Sequence, residues 1–193
     1  MTHVTIVTSL KALLTRDFIW TDEVACSAAA AKLAHALSGG LHAGGSVFIE
    51  LHGTLGAGKT TFTRHFLRSL GIQGRIKSPS YAVVEQHDLP GLVIQHFDFY
   101  RFNDPQEWED AGFRDLFAAP GLKLAEWPEK AAGLLPQADL HIHIHPQDDD
   151  TRRVSVHAYS LVGQDALATL TASPTLQDLK TVAAASLEVP SHG

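Results

Sequence analysis

The clearest alternation in the chain is SVFIELH, Ser46 to His52, where Val47, Ile49 and Leu51 interleave with Phe48, Glu50 and His52. Period two predicts a strand. From Lys59 the period lengthens: Phe62, Phe66 and Leu70 recur every fourth residue until Gly71, which predicts a helix and its stop. Upstream, the alanine-rich run Asp22 to Gly40 predicts a helix with Thr21 as its cap, Leu33 and Leu37 on one face and Gly39 and Gly40 ending it. Residues 1–20 carry no assignable pattern.

Downstream, Pro79 makes KSPSY (Lys77 to Tyr81) a loop. Tyr81 to His87 and Leu92 to Tyr100 read as strands joined by a turn at Pro90 and Gly91. Asp104 to Glu107 places cap, proline and acid in the order of a helix start, and Leu122 to Trp127 is a short apolar strand ending on an acid and a tryptophan. Ala138 to His145 and Arg152 to Tyr159 alternate on either side of an aspartate-rich turn, a hairpin pattern. A helical segment near Ala166 to Leu170 precedes a tail, 172–193, that carries no signal and is expected to be disordered.

Composition narrows the class. With 193 residues, 45% of them hydrophobic, the chain supports one compact domain. A net charge of −6, from 15 basic and 21 acidic residues, gives no basic footprint for holding nucleic acid directly. The single cysteine, Cys26, forms no internal disulfide and reads as a small helix hydrophobe. No signal peptide or membrane span is apparent, so a cytoplasmic protein is expected.

The chemistry begins where the first strand ends. GTLGAGKTTF, Gly53 to Phe62, fits GxxxxGK[ST], with Gly53, Gly58, Lys59 and Thr60 in place. Backbone N–H groups of such a loop turn inward on the phosphates of a nucleotide, and the positive end of the following helix adds to them. Lys59 supplies a full charge and Thr60 a hydroxyl for Mg²⁺. A second acid on the metal is expected at the end of a buried strand, and two positions qualify: Asp98 and Glu126. Ser78 and Ser80, in the loop after the phosphate helix, stand where a γ-phosphate sensor or an ordinary proline turn would sit. His141, His143 and His145 share one strand face. They could bind a transition metal but read more simply as a polar outer face over Ile142 and Ile144, because no acid or cysteine cluster completes the site. Trp108 reads as a packing anchor.

Taken in order, GTLGAGKTTF, KSPSY, HFDFYR and LAEWPEK resemble the bacterial ATPase family of tRNA threonylcarbamoyladenosine biosynthesis, TsaE or YjeE. The resemblance runs from about Asp22 to Tyr159. It implies an α/β P-loop NTPase-type sheet flanked by helices, with a C-terminal β-hairpin, and weak Mg²⁺-dependent ATP hydrolysis serving the partners TsaB and TsaD. The product the resemblance implies is the modified adenosine beside the anticodon of tRNAs that read codons beginning with A, with tRNA reached through the partners.

Carried over by residue, the nucleotide loop comprises Gly53, Thr54, Leu55, Gly56, Ala57, Gly58, Lys59 and Thr60, with Thr61 just inside the helix. Thr60 and Glu126 would hold Mg²⁺, and Asp98 would position the attacking water. Ser80 stands where the family usually has threonine, Trp127 is in a position tied to activity, and Glu23 to Cys26 with Arg152 and Arg153 lie toward the adenosine. The family commonly has Asp where this chain has Thr54. A small-molecule kinase would use the same loop but needs an arginine-bearing lid, which the sequence lacks. A nucleotide-stabilised interaction module without turnover is a third reading. A lone P-loop domain with no evident arginine finger is expected to hydrolyse slowly.

Overall fold

The computed structural model describes residues 11–170. Its frame is a seven-stranded sheet in the order β1-β7-β6-β2-β5-β4-β3. The strands are β1 (Leu14–Trp20), β2 (Ser46–His52), β3 (Val84–Leu89), β4 (Leu92–Asp98), β5 (Gly121–Glu126), β6 (Leu140–Pro146) and β7 (Arg152–Ala158). β6, β2, β5 and β4 run parallel, whereas β1, β7 and β3 pair antiparallel at the edges. The sheet is α/β and flanked by helices, as expected, and β6–β7 form the expected hairpin. The tail at 172–193 lies outside the described residues.

The two faces of β2 explain why its alternation is a core signal on both sides. Val47, Ile49 and Leu51 enter a larger, mainly aliphatic cluster with α1 (Glu23–His42), α2 (Lys59–Leu70) and α5 (Leu161–Ala168). Phe48 faces an aromatic cluster built with Phe97, Phe99, Phe102, Trp108 and Phe113, under the short helices α3 (Pro105–Asp110) and α4 (Phe113–Ala118). Trp108 is buried against Phe99, Phe113 and Phe117, the anchor expected of it. Parallel strands buried on both faces read as nearly continuous apolar runs, and β5 is buried along its whole length.

Several boundaries differ from the sequence reading. Residues 14–20, left unassigned, form the edge strand β1, whose Trp20 stacks on Phe62 of α2 with centroids 5.7 Å apart. Asp22, not Thr21, caps α1: its Oδ1 accepts from the N–H of Ala25 at 2.8 Å. α1 runs on through Gly39 and Gly40, both in open space, to His42, and the left-handed glycine after it is Gly44, at φ 85°. Pro79 and Val83 hold the strand start back to Val84, because Val83 sits at φ 64° with its N–H on Pro79 O, 2.7 Å. β4 likewise ends at Asp98. α5 begins at Leu161, five residues before the expected Ala166, because Ser160 caps it through Gly163 N–H. Among the described residues, no helix is long and apolar enough to cross a membrane.

Candidate nucleotide and metal site

β2 delivers its carboxyl end straight into the glycine loop, residues 53–60. Gly53 stands at φ 146°, and a Cβ there would lie 2.5 Å from Ile144 O of β6, so only glycine lets the two backbones pass. Gly58, at φ 112°, turns the chain into α2. Lys59 is buried; its ammonium donates to Gly53 O at 2.6 Å and Thr54 O at 3.0 Å and lies 3.8 Å above the Trp127 ring. Burial lowers its pKa, while Glu126, Glu129 and Asp98 oppose that fall. The ammonium is held on the loop's own carbonyls.

Parallel pairing puts the two candidate acids side by side, because Asp98 at the end of β4 is the register partner of Glu126 at the end of β5. Both are buried. Glu126 Oε2 accepts from Thr60 Oγ1 at 2.9 Å, joining the loop's hydroxyl to the strand's carboxylate. Its other oxygen, Oε1, lies 2.9 Å from His96 Nε2, a contact sealed from solvent. This contact fixes which way the carboxylate faces. Asp98 is held at both oxygens, by the hydroxyl of Ser78 and by Tyr100 N–H at 2.9 Å. Of the two loop serines, Ser78 therefore grips Asp98 and Ser80 lines the open cleft.

The cleft has a volume of 350 Å³ and is bounded by residues 55–61, Ser78, Ser80, Asp98, Tyr100, Arg101, Glu126 and Trp127. Trp127 adopts φ 57°, ψ 46° directly after β5, a left-handed backbone that costs a bulky residue about 1–3 kcal/mol. That turn presents its ring to Lys59, with Tyr100 4.9 Å away by centroids. Arg101 also reaches the cleft wall, seated 4.1 Å over the Tyr81 ring. A smaller adjoining hollow of 190 Å³ is lined by Trp20, Asp22, Glu23, Cys26, residues 56–58, Thr61, Asp150 and Arg152. Arg152 Nε donates to Ala57 O at 3.2 Å. Burial, and then Glu23, push the Cys26 thiol up to about 12, so it stays protonated and serves as a wall.

Most of the expected residues therefore converge: residues 55–61, Ser80, Asp98, Glu126 and Trp127 meet around one cleft, Arg152 stands beside it, and Gly53 and Thr54 do not line it but hold Lys59 through their carbonyls. Arg153 does not join Arg152. One residue along a strand reverses the side chain, and Arg153 is exposed opposite His145. His96 and Arg101 went unread, although both lie inside HFDFYR; only their register and reach distinguish them from ordinary strand and loop residues.

A family model described as threonylcarbamoyl adenosine biosynthesis protein TsaE matches residues 20–154. A tRNA threonylcarbamoyladenosine biosynthesis protein TsaE from Haemophilus influenzae is 43% identical over 125 residues, spanning 65% of this chain and 78% of that protein. The protein of the same description from Bacillus subtilis is 38% identical over 110 residues, spanning 57% and 68%. The crystal structure of YdiB from Bacillus subtilis superposes with a TM-score of 0.62 at 27% identity, covering 80% of this chain and 93% of that one.

Proposed function

The chain belongs to the TsaE family of threonylcarbamoyladenosine biosynthesis proteins, and on that premise we propose that it binds ATP with Mg²⁺ in the 350 Å³ cleft and hydrolyses it slowly in the service of that tRNA modification. The observation that carries the reading is the contact of Thr60 Oγ1 with Glu126 Oε2 at 2.9 Å, within the same cleft as Lys59. A hydroxyl and a carboxylate at that separation fit the hard oxygen ligation that Mg²⁺ prefers, with water completing the shell. The metal supplies neutralisation of charge on the phosphates.

The residues divide the remaining work. N–H groups of the loop and the first turn of α2 cradle the phosphates, and Lys59 swings from Gly53 O and Thr54 O to meet their charge. Asp98, held by Ser78 and Tyr100, orients the attacking water, and Ser80 faces the γ-phosphate. Trp20, Glu23, Cys26 and Arg152 surround the space beside the loop where the adenosine is seated. Arg101 is engaged by Tyr81 rather than free in the cleft, which favours slow turnover alone and faster turnover once partners move it. TsaB and TsaD are the proposed partners, and the net charge of −6 leaves tRNA contact to them.

A reconstituted tRNA modification assay with and without the chain tests this reading. The modified nucleoside is expected only when the chain and ATP are both present, and ATP hydrolysis is expected to rise when TsaB and TsaD are added. Modification that proceeds equally well without the chain overturns the proposal. Lys59→Ala that retains full modification would leave assembly, not turnover, as the role.

A further inference from the structure

On the open side of β2 and β6, the fold supplies what the HIHIH segment alone lacks. His52 is the register partner of His143, and Glu50 is the register partner of His141. Ligand atoms of His52, His141 and His143 lie within 4.8 Å of one another. Glu50 Oε2 is 3.0 Å from His52 Nε2 and 3.3 Å from His141 Nε2. The His141 nitrogen is sealed from solvent yet makes no hydrogen bond in the described structure, so it points at the carboxylate without being satisfied by it. Three imidazoles thus gather in one cluster, with the buried Glu50 carboxylate beside two of them, His52 and His141, and Glu50, His52, His141 and Glu129 line a hollow of 310 Å³.

We propose that His52, His141 and His143, with Glu50 as the fourth ligand, form a tetrahedral site for a divalent transition metal of the zinc class. Imidazole nitrogen with one carboxylate oxygen suits Zn²⁺ and its neighbours, whereas Mg²⁺ prefers an all-oxygen shell. The donor set therefore selects a different ion from the Thr60 and Glu126 pair. In a tetrahedral zinc site with bonds of 2.0–2.1 Å, the ligand nitrogens stand roughly 3.3 Å apart. Closing the triad means unstacking His52 from His143, now 4.3 Å apart by centroids, through rotation of the rings into the hollow. Glu129 Oε2 lies 3.8 Å from His52 Nδ1, beyond hydrogen-bond range, and ring rotation that closes this gap would supply the carboxylate support metal-bound histidines use. Glu50 and Glu129 also give the hollow the charge that a cation requires and an anion does not.

The test uses the full chain stripped of metal, titrated with Zn²⁺ against a chromophoric chelator and with Co²⁺ followed by visible absorption. One equivalent per chain is expected, with the intense Co²⁺ bands of tetrahedral coordination and a rise in thermal midpoint on adding Zn²⁺. His143→Asn should weaken binding by about 100-fold or more and abolish that rise. His145→Asn, on the same strand but outside the triad, should leave both unchanged. If the metal-free His143→Asn protein melts early, His141→Gln is read in the same way. Absence of stoichiometric binding, octahedral Co²⁺ spectra, or affinity that survives both triad variants overturns the site.

Discussion

The glycine loop of the candidate cleft and the histidine cluster start one residue apart, at Gly53 and His52, and the chain builds them by opposite means. The cleft's loop wall is local: consecutive loop residues curl about the space, and distant strands add Glu126 and Asp98. The cluster is almost wholly tertiary. Glu50 and His52 come from β2, and His141 and His143 from a strand that pairs with it in parallel. A site encoded by consecutive residues announces itself as a motif; one assembled across a ladder becomes visible only when register is known.

Three experiments sharpen that contrast, beginning with the largest effect. Lys59→Ala removes a charged donor from the cleft and should weaken ATP binding by about 2–3 kcal/mol, read by calorimetry, while Zn²⁺ affinity stays as it was. Equal loss of both would show that the two sites are one unit. Gly53→Ala strikes the shared boundary: the new methyl meets Ile144 O on β6, in a backbone conformation alanine resists. It should cost about 2 kcal/mol of stability by denaturant unfolding and impair both ligands.

The smallest effect is one of pH and belongs to the cluster alone. Burial and the surrounding histidines hold the His143 pKa at about 4. An unfolded chain takes up that proton near 6.5. Between the two values the unfolded state binds more protons, so stability in the presence of chelator should decline as pH falls from about 6.5 to about 4 and level off below. Allowing for solvent around this partly exposed ring, the decline attributable to it is on the order of 1 kcal/mol. His143→Asn should flatten it, and a nucleotide-binding variant should not.

The same contrast explains how much was legible beforehand. The loop, the acid at the end of β5, the aspartate at the end of β4 and the hairpin were all readable, because each lies in a segment whose period or glycine spacing is self-contained. β1 escaped because it is an edge strand with only Phe18 and Trp20 buried, too few inward positions to write an alternation across Arg16 and Asp17. The end of α1 was misjudged because Gly39 and Gly40 have helical geometry with free space around them; glycine permits a stop without enforcing one. His96 looked like any strand residue until parallel pairing set its ring against Glu126 Oε1. Arg152 and Arg153 looked equivalent, and the pleat separated them.

The central position of β2 also governs the order in which the protein can be made. Its neighbours are β5 and β6; Ser46 bonds to Gly121 across 75 residues, and Phe48 to Asp139 across 91. A chain leaving the ribosome holds the whole phosphate loop long before it holds either flanking strand. Closing loops of that length costs entropy that only the completed sheet returns, so the loop acquires its shape late. The nucleotide binding proposed above is therefore expected of the nearly finished polypeptide, once β6 has been made, and not of a nascent one.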